Sequence, residues 1–254
     1  MSAVHEALLP FRWELPAGVR AAFTTRRGGV SAAPWDSFNL GAHVGDAPAA
    51  VAANRAHLRA LLALPVEPAW LEQVHGTAVA DLDGQARTLP PKADAAIATG
   101  KGRACVIMVA DCLPVLFASR DGTRIGAAHA GWRGLAAGVL EHTVEALGVP
   151  GPELTVWMGP AISRAHFEVG DDVRAAFVGD GARPGASGAA GFFARNASGK
   201  WQADLVGLAR RRLAALGITS IAGGEWCTFA EREQFFSHRR DGRGGRMAAL
   251  VWRD

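Results

Sequence analysis

The chain has 254 residues, 49% hydrophobic and 20% charged, with a net charge of +3. That length suits one domain with a full core, and the composition excludes a disordered chain. No run of eighteen apolar residues suggests a membrane span, and the N-terminus has no basic region followed by an apolar run, so the expected location is the cytoplasm. Arginines outnumber lysines 24 to 3, but no basic run is interleaved with aromatics, which argues against nucleic-acid binding. Cys105, Cys112 and Cys227 show no framework spacing, so free thiols are expected rather than a disulfide scaffold.

In chain order, the first 20 residues read as a strand with loops, and Val19–Thr24 as a strand running into the Gly-containing turn TTRRGGVS. Trp35–Gly45 is loop-like. Val51, Leu58, Leu61 and Leu62 recur at helical spacing and predict a helix from about Ala49 to Leu62. Ala69–Val74 reads as a strand ending at His75. Ala104–Ala110 is a continuous apolar run, as in a strand buried on both faces. Pro114–Ala118 is the next strand, Arg120-Asp121-Gly122 is a turn, and Arg124–Ala128 is a strand ending at His129. Gly131 and Gly134 bracket a bend, followed by a helix from about Leu135 to Leu147. Leu154–Met158 is a strand, and the Gly-, Ala- and Ser-rich stretch 179–191 is a loop. Asp204 caps a helix to about Leu216, with Gly217 as its stop. Ser220–Ala222 and Met247–Trp252 are final strands. This mixture predicts an α/β or α+β fold, a layered sandwich with a mixed sheet, in one domain over 1–254.

Three segments place a metal-binding side chain at a strand end beside a glycine or another small residue. They are Gln73-Val74-His75-Gly76, Ala110-Asp111-Cys112 and the run from His129 to Gly134. Strand ends converge in such sheets, and that is where sites form. Imidazole with thiolate suits zinc, with copper or iron as competitors, and three ligands leave the fourth position open. The spacings are long and match no finger or ribbon. A single strand-end histidine is commonly structural.

QVHG, ADCLPVLF, HAGWRG and the tail CTF…FFSHRRDG…GRMAALVW together resemble the YfiH-like laccase-domain family, as do TTRRGGVS, FNLGAHVGD, KADA, GPAI…FEVG and ADL. The resemblance spans nearly the whole chain. It implies one α/β domain, distantly similar to a deamidating bacterial toxin, with zinc held by His75, Cys112 and His129. It also implies phosphorolysis of adenosine, inosine, guanosine and methylthioadenosine, and deamination of adenosine, with nucleosides and phosphate as partners of a monomer or homodimer. One departure is SRAHFEVG, where Ala165 and His166 replace a frequent Cys-Cys pair; His166 reads as a tolerated substitution.

Asp94 and Asp111 are the candidate general acid/base carboxylates; Asp111 serves equally well as the partner that orients His129. Arg26, Arg27 and Arg133 are candidate anion contacts, against a solvated-surface reading for each. Asn39 is a candidate base or ribose contact, or a turn former. Cys227 reads as a buried thiol or a wall of the substrate pocket, Cys105 and Trp201 as core, and Arg239, Arg240 and Arg246 as ion pairs closing the C-terminal strand. Two alternatives stand beside the nucleoside enzyme. One is a copper polyphenol oxidase, against which eight scattered histidines count, His5, His57 and His142 lying in the N-terminal arm or on predicted helices. The other is a Cys–His hydrolase with Cys112 as nucleophile, acting on muramyl-peptide precursors.

Overall fold

In the computed structural model, residues 4–84, 90–179 and 188–254 are described. The apolar runs set the architecture through their alternation. In β4 (Ala104–Val109), Cys105, Ile107 and Val109 face one buried cluster while Ala104, Val106 and Met108 face another. A strand covered on both faces must lie between layers. Antiparallel to it runs β12 (Met247–Arg253), itself flanked by β1 (Val19–Phe23), in a sheet of order β1-β12-β4.

The second sheet repeats the logic. It comprises β2 (Val79–Asp81), β3 (Ala95–Ala98), β5 (Leu113–Ser119), β6 (Ile125–Ala130), β7 (Leu154–Met158) and β11 (Ser220–Gly223). Its order is β11-β7-β5-β6-β3-β2, with parallel pairs at both edges and antiparallel pairs between, so the sheet is mixed. Leu116, Ala118, Ile125 and Ala127 meet the inner face of the three-stranded sheet. Val115, Phe117 and Ala128 point the other way. They pack with Leu140 and Leu147 of α4 (Val139–Leu147) and with Leu208 and Leu213 of α6 (Leu205–Ala215). On the far side, Leu58 of α2 (Pro48–Leu61) covers the outer face of the small sheet. The order of layers is helix, sheet, sheet, helices, the layered sandwich expected from the sequence.

Several expectations need correction. Among the described residues no strand precedes Val19: α1 (Val4–Ala7) leads to extended chain bridged at Leu8 to Thr24. Ala69–Val74 is extended but forms only isolated bridges, at Ala69 to Cys105 and Glu72 to Lys92. The helix expected from Leu135 is two: α3 (Trp132–Ala137) and α4, broken at Gly138, whose φ of 102° leaves the helical region. Within the stretch 179–191, residues 180–187 lie outside the described residues, and Ala189–Phe192 is a 3-10 turn. On either side of α5 (Asp171–Val178) in the chain lie the strands of a small sheet, β8 (Glu168–Val169) before it and β9 (Phe193–Arg195) and β10 (Trp201–Ala203) after it, in the order β8-β10-β9. Trp201 is half-buried there, not core, held between the guanidinium groups of Arg174 and Arg195 at 4.5 Å each. Asp204 caps α6 as expected, accepting from the Gly207 N–H. Among the described residues, no helix is long and apolar enough to cross a membrane.

Candidate metal centre

The three expected ligands meet at one end of the two-sheet core. His129 lies within β6, on the side of Ile125 and Ala127, so alternation aims it between the sheets. Cys112 arrives from the turn between β4 and β5. His75 arrives from the segment bridged to Lys92. Their ligand atoms all lie within 4.8 Å of one another, and this is the one such group among the described residues. His75 Nε2 is 3.7 Å from Cys112 Sγ, and the two imidazoles stand edge to face at 4.8 Å.

Backbone geometry at the ligands is unusual. His75 has φ of 62° and Asp111 φ of 99°, conformations that side chains rarely adopt and that must be held by their surroundings. Asp94 holds the first. It is fully buried and accepts from the backbone N–H groups of Val74, His75 and Gly76 at 3.1, 2.8 and 2.7 Å. Its Oδ1 also lies 2.9 Å from His129 Nδ1, which leaves His129 Nε2 free for the cluster. Asp111 is held by Thr228 Oγ1 and by the Arg239 N–H, both donating at 2.7 Å. The expected division of labour is therefore corrected: the carboxylate that orients His129 is Asp94, and Asp111 instead ties the C-terminal segment to the ligand turn.

Charge is arranged to match. Burial pushes the Cys112 thiol up, but the charge of His129 and hydrogen bonds from His129 and His75 outweigh it and pull the pKa down to about 6. Burial pushes His129 down, but the Cys112 thiolate and the Asp94 carboxylate raise it to about 9. Without metal, the pair is a thiolate facing an imidazolium. Tetrahedral zinc sets neighbouring nitrogen and sulfur donors about 3.3–3.8 Å apart. The His75–Cys112 separation falls within that range, and the carboxylate behind His129 follows the usual support of a metal-bound imidazole. The residues present therefore fit zinc.

Glycines make room for the cluster. A Cβ on Gly131 would lie 2.8 Å from His75 Cδ2 and 3.0 Å from Cys112 Sγ; one on Gly134 would lie 2.8 Å from the Gly76 carbonyl. HAGWRG thus needs its glycines for the close approach of two ligands, a role that sequence alone read as a bend.

The remaining candidates are dispersed. Asn39 is fully buried, and its side chain bonds Gly41, Asp46 and the Arg246 N–H, the pattern of a turn former. Arg26 donates to the Asp36 side chain and backbone, Arg27 to Glu233. Both line a cavity of about 570 Å3 that none of the three ligands borders. Arg133 is exposed and lies over the Trp132 ring at 4.4 Å. Cys227 is half-buried, its Sγ receiving the Ser163 and Ala230 N–H groups and lying 3.5 Å from His166 Nδ1. His166 also stacks on Phe229 at 4.5 Å, so it has a packing role. Cys105 is fully buried, as expected of core. Of the three C-terminal arginines only Arg240 forms an ion pair among the described residues, with Asp241. Arg239 and Arg246 donate to backbone carbonyls instead.

A family model described as multi-copper polyphenol oxidoreductase laccase matches residues 20–254. A Pseudomonas aeruginosa protein named purine nucleoside phosphorylase is 54% identical over 94% of this chain and 96% of its own. An Escherichia coli K12 protein named purine nucleoside phosphorylase YfiH is 48% identical over 95% and 96%. The crystal structure of a Neisseria meningitidis protein superposes with a TM-score of 0.90 at 47% identity, covering 98% of this chain and 99% of the other.

Proposed function

The chain belongs to the multi-copper polyphenol oxidoreductase laccase family, and from that membership we propose that it is a zinc-dependent purine nucleoside phosphorylase that also deaminates adenosine. The observation that carries this reading is the His75–Cys112–His129 cluster, backed by Asp94, in a chain about half identical to proteins named purine nucleoside phosphorylase. Adenosine, inosine, guanosine and methylthioadenosine are the substrates proposed, and the cytoplasm is the proposed location.

In phosphorolysis, a phosphate oxygen bonds to ribose C1′ while the C1′–N9 bond breaks. The electron pair goes to the purine, which takes up a proton. In deamination, water adds at C6 and ammonia leaves. Zinc, when bound, supplies Lewis-acid polarisation at the position its three protein ligands leave open. The chain's own residues set that position. Asp94 fixes the His129 tautomer and ring direction, and its three backbone contacts hold His75 in place. Cys112 enters as thiolate. The family description names copper, yet a multicopper centre needs several sets of ligands, and the described residues hold one three-ligand His/Cys group. Zinc fits this donor set better.

The test is product analysis with purified protein, adenosine and phosphate. Adenine with ribose 1-phosphate, and inosine with ammonia, are expected. Copper-dependent oxygen uptake on a phenol, with no nucleoside product, would overturn the reading.

One observation favours a second reading. Cys112, His129 and Asp94 also form the order thiolate, imidazolium, carboxylate of a Cys–His hydrolase, for which a muramyl-peptide precursor is the proposed substrate. That enzyme would stay active after chelation and die on thiol alkylation.

A further inference from the structure

Two segments far apart in the sequence meet beside the cluster. Met247 pairs with Val109, so Arg246 leaves β12 next to the Ala110–Asp111–Cys112 turn. The loop of FNLGAH folds over it: the Leu40 N–H donates to the Arg246 carbonyl at 3.1 Å, and the Arg246 N–H donates to Asn39 Oδ1 at 2.9 Å. The Arg246 stem crosses Gly41 so closely that a Cβ there would lie 2.8 Å from Arg246 Cγ. Two residues beyond Gly41 in the same loop stands exposed His43.

The guanidinium groups here are only partly used. Arg246 donates through Nη1 to the carbonyls of Gly244 and Gly245, and its Nε and Nη2 have no partner among the described residues. Among the described residues, no carboxylate lies within ion-pair distance of it. Arg55 is anchored on the Leu40 carbonyl and stacked on Trp70 at 4.0 Å. Two half-buried cations and an exposed imidazole thus gather on the FNLGAH loop beside the metal ligands; Arg246 keeps free N–H groups, and the nearby negative charge it feels is that of Cys112 and Asp111. Arg26 and Arg27, by contrast, already face carboxylates.

We propose that Arg246 and His43, with Arg55 behind them, form the phosphate-binding half of the active site. Arg246 offers Nε and Nη2 as a fork, the geometry that suits phosphate oxygens. Burial, then the charges of Arg246, Arg55 and His129, keep His43 below its ordinary pKa, so near neutrality it adds an N–H donor rather than a third charge. The inference rests on the phosphorolysis reading, and its test separates the two.

The probe is inorganic phosphate. Its binding to the zinc-loaded wild type, Arg246→Gln, Arg246→Lys and His43→Ala is measured by titration calorimetry without nucleoside, beside KM for phosphate and for nucleoside. Arg246→Gln should weaken phosphate binding roughly tenfold or more, Arg246→Lys should recover part of it, and His43→Ala should weaken it several-fold. Zinc content and KM for nucleoside should change little. His43 is exposed, so that variant carries the test if Arg246→Gln does not fold. Phosphate binding that depends on Arg246 and His43 in a protein with no nucleoside turnover would support the site and sink the phosphorolysis reading. Turnover with a phosphate Kd within twofold of wild type in both variants would overturn the site and leave the reading standing.

Discussion

Asp94 accepts three backbone N–H groups and one imidazole, and no other carboxylate among the described residues touches both histidine segments. Burial pushes its carboxyl up, but the bonds from His129, Gly76 and Val74 outweigh it and hold the pKa below the ordinary carboxylate value. A lowered carboxylate pKa contributes stability that is complete above the unfolded value of about 4. It is lost as pH falls through the lower folded value. Asp94→Asn should therefore cost about 2–4 kcal/mol at pH 7, measured by urea unfolding, with a smaller gap to wild type at pH 3. Zinc affinity should fall about 10- to 100-fold. Gly131→Ala tests the neighbouring contact. Its Cβ meets His75 and Cys112 side chains, so the variant should fold with a loss of about 1–3 kcal/mol and bind zinc at least tenfold more weakly in a competition titration.

Elements deliver these residues by two devices, strand ends and left-handed backbone. The break between α3 and α4 shows the second. Gly138 at φ of 102° ends one helix and starts the next, so the first helix begins at Trp132, beside the cluster. Gly138→Ala should destabilise by about 1–2 kcal/mol in thermal unfolding and leave zinc stoichiometry unchanged. The long apolar strands and the Asp204-capped helix were legible in the sequence because each carries its signal locally. The four-residue β3, mostly alanine, and β8 to β10, of two or three residues, carry too little pattern to be seen. At the site, His75, Cys112 and His129 were legible as ligand types beside small residues. The work of Asp94 was not, because its partners lie 18 to 35 positions away. Nor was the docking of the FNLGAH loop on Arg246, about 200 positions apart in the chain and joined by the Leu40 and Asn39 hydrogen bonds to the Arg246 backbone.

At the scale of the molecule, the helix–sheet–sheet–helix stack buries Cys105 completely and leaves Cys112 half-exposed at the open end. Burial pushes the Cys105 thiol far up, while Cys112 is drawn down to about 6. In the chelated, folded protein at pH 7, iodoacetamide should modify Cys112 and spare Cys105, as read by peptide mass mapping, and bound zinc should protect Cys112. The most direct test of the central claim is the metal content of the purified protein, set against nucleoside activity before and after chelation. About one zinc per chain is predicted, absent in Cys112→Ala, with phosphorolysis lost on chelation and restored by zinc. Full phosphorolysis by metal-free protein would contradict it.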